Sequence, residues 1–572
     1  MRKVWKVKPV EETLFRELVS SLDIPPLIAR LLLHRGISSV EQARDFLCVD
    51  LSRLGVPSSM SGLPEAVRLI RQAVSNKEKI ILVGDYDVDG LTGTAILLRT
   101  LRSMGADASC HIPHRMEEGY GLKKEVVRKA AASGVKLLIT VDCGTTSFDE
   151  LRYARQMGLE TVVVDHHELL PAGRPPASAF LNPLQPGCCY PEKELASAGV
   201  AFTLFRGLVE GDPDGKIWEH LDLAALGTVA DVAPLTGENR ILVKAGLHRL
   251  SGTDKAGLQR LLSQAKLAGK RLSAEDISFY LAPRINAVGR MGSAEVSLKL
   301  LITDDPEEAV RLAKLIEKEN KSRLVLQREA FQRAVFKMER EVNFSRDRVI
   351  VLEDDEWHPG VIGILASRLT AQFHRPVVVI AANGAMCRGS ARSIPSFPLV
   401  EALEMVKEHL VEFGGHPGAA GFTIDRERIA VFREALNRVA QERLDPAMLT
   451  HCLEMDDVLP LSSLNDEIMR DMELLGPFGQ GNPRPIFLSE DARIPEERRE
   501  PPFSPFGVRF FVEDGEGRSF ETLQSRNDAA DGWNVRRLNA GPISLAYSPI
   551  RRHSAVGVSS IELKLCDLKI QT

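Results

Sequence analysis

The chain has no CxxC pair, and its eight cysteines are scattered through 572 residues apart from the adjacent Cys188 and Cys189. A thiolate zinc site and a disulfide framework are therefore excluded, and reduced thiols are expected. No uncharged apolar run is long enough to cross a membrane. The opening MRKVWKVKPVEETLF lacks the apolar stretch of a signal peptide, so the cytoplasm is the expected location. There is no basic excess either: the formal net charge is −5, without a long basic tail. That balance argues against a uniformly basic nucleic-acid surface. It leaves room for a local basic groove, because metal-binding carboxylates inflate the acidic count. Internal repeats and low-complexity tracts are missing as well.

What is present is length and apolar content. Hydrophobic residues make up 44% of the chain, enough for sizeable cores, and the length implies about three or four domains. Residues 1–60 read as a helical lead-in divided by Pro25-Pro26 and by a turn at Gly36. Over 61–235 apolar strands at Ile80–Val83, Leu137–Val141 and Thr161–Val164 alternate with helical patterns. This predicts an α/β fold with a doubly wound parallel sheet. Residues 236–345 read as a helical connector whose last part, DPEEAVRLAKLIEKENKSRLVLQREAFQRAVFKMERE, is highly charged and suits one long helix, or two pieces, joining two lobes. A second α/β alternation occupies 346–445, and 446–572 holds short β-like runs (VRFFVED, RSFETLQ, GPISLAY, SIELKLC) that predict a small β-barrel.

The chemistry collects where strands end. The apolar run Ile80–Val83 leads into GDYDVDG, which sets Asp85, Asp87 and Asp89 on alternate positions before a helical pattern resumes at Thr92. The next strand ends in Asp142, the third in Asp165, His166 and His167, and Asp231 follows the helical run LDLAALG. Taken singly, DVDG is an ordinary turn, Asp142 and Asp231 are helix caps, and paired histidines are surface residues. Taken together, four segments deliver acids and imidazoles to one rim, where open parallel sheets place their active sites. Carboxylate and imidazole donors without thiolates favour Mn²⁺ or Mg²⁺. So many acids suit two ions, about 4 Å apart, sharing a bridging carboxylate.

GDYDVDG, VDCG, VDHH and GTVADVAPL resemble the four motifs of the DHH phosphoesterase superfamily. IPHRMEEGYGL, APRINAVGRM, WHPGVIGILASRL, GSARS and FGGHPGAAGF are similar to those of its bacterial branch of 5′→3′ exonucleases specific for single-stranded DNA, over nearly the whole chain. The resemblance implies a catalytic DHH domain, a second (DHHA1) α/β domain that binds the nucleic acid and its 5′ end, and an OB-like barrel that binds single strands. It implies that Asp87 and Asp142, with Asp85, hold one ion, and that Asp89, Asp142, His166 and Asp231 hold the other, so that Asp142 bridges. Many members carry a histidine four positions before Asp87; here Val83 stands there, and Asp85 is the substitute ligand. His167 lies next to the ions and, as a neutral donor, hydrogen-bonds the scissile phosphate. The implied activity releases 5′-mononucleotides by two-metal hydrolysis in DNA repair and recombination. The implied partners are single-stranded DNA with a 5′ end, a single-strand-binding protein and a helicase; a monomer without membrane attachment is expected.

End recognition needs phosphate donors. MCRGSARSIP places Ser390 and Arg392 two residues apart on a strand-like run, so both point the same way, and a guanidinium with a hydroxyl suits phosphate. The resemblance assigns them, with Arg115, to the 5′-phosphate. Arg284, Asn286 and Arg290, His358 before a helix, and Gly415 and His416 in a glycine-rich turn are further candidates for backbone contact. In the tail Phe510, Phe511, Arg536, Arg537, Arg551 and Arg552 are available, but the function is assigned to that domain and to no single residue. Two alternatives stand beside the exonuclease: a small-substrate phosphoesterase acting on pyrophosphate, cyclic dinucleotides or very short oligonucleotides, and a catalytically inactive DNA-binding scaffold. The helical lead-in, long helix and β-rich tail favour a polymer, and the intact acids argue against the scaffold.

Overall fold

The computed structural model describes residues 3–115, 118–211, 216–495, 503–504, 507–525, 542–553 and 559–570. The chain forms two compact units: Glu41–Ser322 with Leu475–Pro483, and Met1–Val40 with Arg323–Leu474 and Arg484–Thr572. The chain opens with a strand, β1 (Val4–Val7), which runs parallel to Cys452–Met455. The Trp5 indole donates to Asp567 Oδ2 at 2.7 Å, and the Lys569 ammonium lies 4.3 Å from its ring centre. The expected helical lead-in thus begins in a sheet: VWKV is rich in β-branched and aromatic residues, a strand composition whose partner lies far along the chain. Helices Glu12–Leu22, Pro26–Leu33 and Val40–Leu47 then follow as expected.

In the Glu41–Ser322 unit, β2 (Lys79–Gly84), β3 (Ala108–His111), β4 (Val135–Val141), β5 (Glu160–Val164) and β6 (Ala179–Leu181) form one parallel sheet in the order β3-β2-β4-β5-β6. The doubly wound reading holds. Leu137, Ile139 and Val141 of β4 pack on one face with Leu97, Ala201 and Leu226, while Leu138 packs on the other with Val127, Leu151 and Val163. A strand covered on both faces has to be apolar throughout, which is why β2, β4 and β5 read clearly. The edge strands β3 (ASCH, half-exposed) and β6 (three residues) gave no such signal. The chain order reverses between β2 and β4, and the carboxyl ends of these two strands are where an α/β sheet opens a crevice.

The charged segment after residue 305 is one continuous helix, Pro306–Glu341. In the other unit, β7 (Ile350–Asp354), β8 (Val377–Ala381), β9 (Met386–Arg392), β10 (Glu412–His416) and β11 (Ala419–Asp425) form a mixed sheet ordered β10-β11-β9-β8-β7. After β12 (Cys452–Met455), the strands β13 (Asp457–Val458), β14 (Phe487–Ala492), β15 (Phe503–Ser504), β16 (Gly507–Glu513), β17 (Ser519–Ser525), β18 (Ile543–His553) and β19 (Ser559–Ile570) build the third sheet. Arg493 and Glu513 exchange two backbone hydrogen bonds of 2.9 Å. That bridge ties the end of β14 to β16 and closes β14, β18, β19, β17 and β16 into the expected barrel. The sequence hid β14, because its inward positions include the fully buried Ser489 and a bulge interrupts its register.

Helix Leu221–Ala230, which ends at Asp231, starts at His220. The His220 ring is buried, lies 4.7 Å from Phe205, and its Nδ1 meets no hydrogen-bond partner. Burial, then the charges of Lys255, Arg99 and Arg249, lower its pKa to about 3. The unfolded chain takes up this proton near pH 6.5 and the folded one does not, so His220 makes stability fall as pH drops from about 6.5 toward 3. His220→Phe should remove that slope, by up to ~1.4 kcal/mol per pH unit. Denaturant unfolding of parent and variant at pH 7, 6 and 5 would measure it, and parallel curves would show that His220 does not titrate between the two states.

Candidate metal centre

β2 delivers its acids through a tight turn. Asp87 caps helix Val88–Ser103, its Oδ1 accepting the amides of Asp89 at 2.9 Å and Gly90 at 3.1 Å. A Cβ on Gly90 would stand 2.7 Å from the Asp85 backbone nitrogen and oxygen, so only glycine lets this turn close. Asp85 is buried and its Oδ1 finds no hydrogen-bond partner. Val83 is buried in the core beside Leu138 and offers no ligand.

Asp142, just past β4, has a left-handed backbone (φ 62°), a conformation costing roughly 1–2 kcal/mol for an L-residue. Its carbonyl accepts the Tyr120 hydroxyl at 3.0 Å and its Oδ1 accepts the Ser197 hydroxyl at 2.9 Å. Asp89 receives the amides of Ser197 at 2.7 Å and Ala198 at 2.8 Å, the open N-terminus of helix Ser197–Leu208, a natural seat for an anion. His166 stands among them, with Nε2 3.5 Å from Asp142 Oδ1 and 3.9 Å from Asp89 Oδ2, and Nδ1 3.8 Å from Asp231 Oδ2. Three sets of donor atoms fall within 4.8 Å of one another: Asp85, Asp87 and Asp142; Asp89, His166 and Asp231; and Asp142, His166 and His167.

Asp165 has a different task. Its carboxylate accepts Thr145 N at 2.9 Å, His166 N at 2.8 Å and His167 Nδ1 at 2.7 Å. Burial opposes its charge, yet the bonds from His167 and Thr145 hold its pKa well below the usual carboxylate range. Burial likewise works against a charged His167, but Asp165 outweighs it and raises that ring to about 9. His167 is therefore a charged donor in the ion-free protein, not the neutral one expected, because its partner is a buried carboxylate. The sequence pattern does not mark Asp165, Ser197 or Tyr120 as working residues. Ser197 and Tyr120 are uncharged and sit in loops or at a helix start, where only the flanking Gly119 and Gly121, both at positive φ, hinted at a built turn.

Of the phosphate candidates in this unit, the Arg115 guanidinium lies 5.0 Å from the Tyr86 ring centre, and its charge favours the ionised Asp85. Arg290 acts on the same tyrosine electrostatically, and its helix, Ala282–Met291, lies against Tyr86 through Gly289. Arg284 turns elsewhere, to Glu317 at 2.9 Å and the Tyr280 carbonyl at 2.7 Å. It braces helices and is not brought to the acids. Asn286 is half-buried on the same helix.

In the other unit, Ser390 and Arg392 share one face of β9, with Arg392 Nη1 donating to the Ala391 carbonyl at 2.8 Å and lying 3.4 Å from Ser390 Oγ. A Cβ on Gly363 would stand 3.2 Å from Ser390 Oγ and 3.4 Å from Arg392 Nη2, so glycine lets helix Pro359–Phe373 close on them. In register, Gly414, Gly421 and Ser390 form one row, and His416, Ala419 and Arg392 the next; alternation puts both rows on the same face. Gly415 has φ 148°, and a side chain there would run into the Ala419 carbonyl. His358 caps the helix, its Nδ1 accepting Gly360 N at 3.0 Å. In the barrel Phe510 is core, Arg551 is bonded to Asp466 and Arg552 pairs with Glu562 at 3.0 Å. Phe511 is half-buried, and Arg536 and Arg537 lie outside the described residues.

A parallel sheet with acids and histidines at its strand ends, a mixed second sheet and a barrel define a DHH-class protein. The chain matches the DHH family, N-terminal domain, over residues 79–228, the DHHA1 domain over 346–442 and the RecJ OB domain over 455–521. It is 38% identical over 562 residues to the single-stranded-DNA-specific exonuclease RecJ of Bacillus subtilis, covering 97% of this chain and 68% of that one. To the Escherichia coli protein of the same name it is 36% identical, covering 81% and 83%. The crystal structure of Thermus thermophilus RecJ in complex with Mn²⁺ superposes with a TM-score of 0.82 at 33% identity, over 100% of this chain and 80% of that one. The chain belongs to the RecJ family.

Without cations the acids cannot all ionise. Burial, then Asp87, raises Asp85 to about 8; burial, then Asp231, raises Asp89 to about 7; burial, then Asp87, raises Asp231 to about 7; and burial with Asp89, Asp87 and Asp85 raises Asp142 well above its usual value. Groups raised on folding stabilise the fold below the unfolded pKa, near 4, and that stability is lost as pH climbs through the folded values. Chelated protein should accordingly melt at lower temperature at pH 8 than at pH 6. Mn²⁺ should restore it, with a gain that grows with pH, since the ion displaces protons. Thermal melts with chelator or Mn²⁺ across pH 5–8 would check this; an Mn²⁺ effect independent of pH would contradict it.

Proposed function

We propose that this protein is a metal-dependent 5′→3′ exonuclease of single-stranded DNA that releases 5′-mononucleotides in DNA repair and recombination. The observation that carries the proposal is the convergence of four chain segments on carboxylates and imidazoles whose donor atoms lie within 4.8 Å of one another. The donors fit divalent ions: oxygen and imidazole only, with an unpartnered buried oxygen on Asp85. Asp85, Asp87 and Asp142 would hold one ion and Asp89, Asp142, His166 and Asp231 the other. Two ions, Mn²⁺ or Mg²⁺, would there polarise the scissile phosphate and lower the pKa of the attacking water.

The chain's own groups prepare the site. The Ser197 and Ala198 amides fix Asp89, the Ser197 hydroxyl orients Asp142, and Asp165 takes the His167 Nδ1 proton bond. That leaves His167 Nε2–H to donate to a phosphate oxygen where charge develops. Ser390 and Arg392 take the 5′-phosphate, His416 and Gly415 carry the adjoining backbone, and in the catalytic unit Arg115 is a further phosphate donor. A helicase supplying single strands, a single-strand-binding protein and a monomeric state complete the reading.

Asp142→Asn tests the centre, since asparagine tolerates left-handed backbone and can still accept from Ser197. An outer partner of a ligand costs about 10–100-fold, so loss of the bridging charge should cost at least about a hundredfold in release of 5′-mononucleotides from end-labelled single strands at saturating Mn²⁺, with the chelated variant melting no lower than the chelated parent. Activity within about tenfold of the parent would reduce Asp142 to a cap. Release from the 3′ end, or equal digestion of blunt duplex, would reject the polarity and the substrate.

Arg392→Ala should weaken binding of 5′-phosphorylated single strands by ~1.5–3 kcal/mol, the range for a hydrogen bond to a charged group, and change little on 5′-hydroxyl strands. Titration of both oligonucleotides measures it. Equal losses would make Arg392 a general backbone contact.

A further inference from the structure

Helix Leu221–Ala230 ends in a turn in which Ala233 N donates to the Thr228 carbonyl and Val232 N to the Val229 carbonyl, both at 3.2 Å. This pairing requires positive φ just after the cap, Asp231, and glycine usually supplies it. Here the residue is Val232, at φ 62°. The other described non-glycine residues at positive φ are Asp23, Lys77, Asp142, Lys266 and His374; Val232 alone among them is apolar or β-branched, the type that tolerates the conformation least. Its side chain is 63% exposed, so core packing does not explain it. The turn's bonds are backbone bonds that glycine would make with less strain.

Their position is informative. Val232 adjoins Asp231, whose carboxylate groups with Asp89 and His166, and the Asp231 side chain is itself partly open to solvent. Val232 is thus an exposed apolar residue directly next in sequence to a member of the metal-centre group. We propose that Val232 is a substrate-contacting residue whose methyls pack on the apolar sugar–base side of the nucleotide being released. The inference rests on the nuclease reading above. An isopropyl group offers nothing to phosphate oxygens but matches the carbon-rich face of a deoxyribose and base. Its restricted χ1 on a fixed backbone makes the contact pre-organised, with little entropy lost on binding.

The test uses the full chain, Mn²⁺ and a 5′-phosphorylated single-stranded oligothymidylate, with Val232→Gly and Val232→Ile. Val232→Gly relaxes the backbone, so it should melt no lower than the parent, yet its kcat/KM should fall about tenfold, the value of one valine-sized apolar contact. Val232→Ile should stay within about twofold, and the Mn²⁺ midpoint should not move. Unchanged kcat/KM in Val232→Gly would overturn the inference. So would a lower melting temperature, which would make the side chain internal packing, or a shifted Mn²⁺ midpoint, which would make it a support for Asp231. An inactive parent would fail the nuclease reading alone. Anisotropy titration of the oligothymidylate with chelated protein would then decide Val232 independently: weaker binding by Val232→Gly but not Val232→Ile supports the contact, and equal binding rejects it.

Discussion

Repulsion among Asp85, Asp87, Asp89, Asp142 and Asp231 governs the catalytic unit. Each is out of reach of full solvation, and burial together with its neighbours raises the proton affinity of four of them. The chain meets part of this with fixed dipoles: two amides of a helix N-terminus on Asp89, a hydroxyl on Asp142, and two amides on Asp87. What it withholds is equally telling. Among the described residues these acids pair with the rings of His166 and His167, while Arg115, whose charge reaches Asp85, lies over Tyr86. The shortfall of positive charge is thus built in, and the backbone strain at Asp142 is tolerated to keep the carboxylates converging.

The placement of these groups follows from the sheet. Asp142 N donates to the Val164 carbonyl and Asp165 N to the Leu181 carbonyl, so each strand's last hydrogen bond sets the height of the acid that follows it. Parallel register carries the acids to one rim without a dedicated loop for each. Asp231 comes from a helix end, and the helix is held by core residues such as Leu223 and Leu226.

Much of this was legible in the sequence where burial demands a simple pattern. β2, β4 and β5 are continuous apolar runs, and the acids stand out at their ends. Legibility failed where partners are distant or polar. Arg284 looks like a phosphate contact until Glu317 is seen beside it, and a separation of 33 positions along the chain hides that pairing. β14 carries a buried serine where a hydrophobic residue would mark the strand. Ser197 and Tyr120 have no charge to advertise them, and the task of Asp165 emerges only from its bonds to Thr145 and His167.

The pairing of β1 with β12 has a consequence for biosynthesis. Val4 lies opposite Cys452, so this strand leaves the ribosome long before its partner exists. At about 5–20 residues per second, roughly 20–90 seconds of translation separate the two. Over the same interval the segment Glu41–Ser322 is released almost entire and can condense around its own sheet. The unit that includes β1 must then be closed by the last part of the chain to be made. A nascent chain halted before residue 452 would carry a formed catalytic sheet and an unmatched strand edge at its head, the kind of edge that recruits other chains.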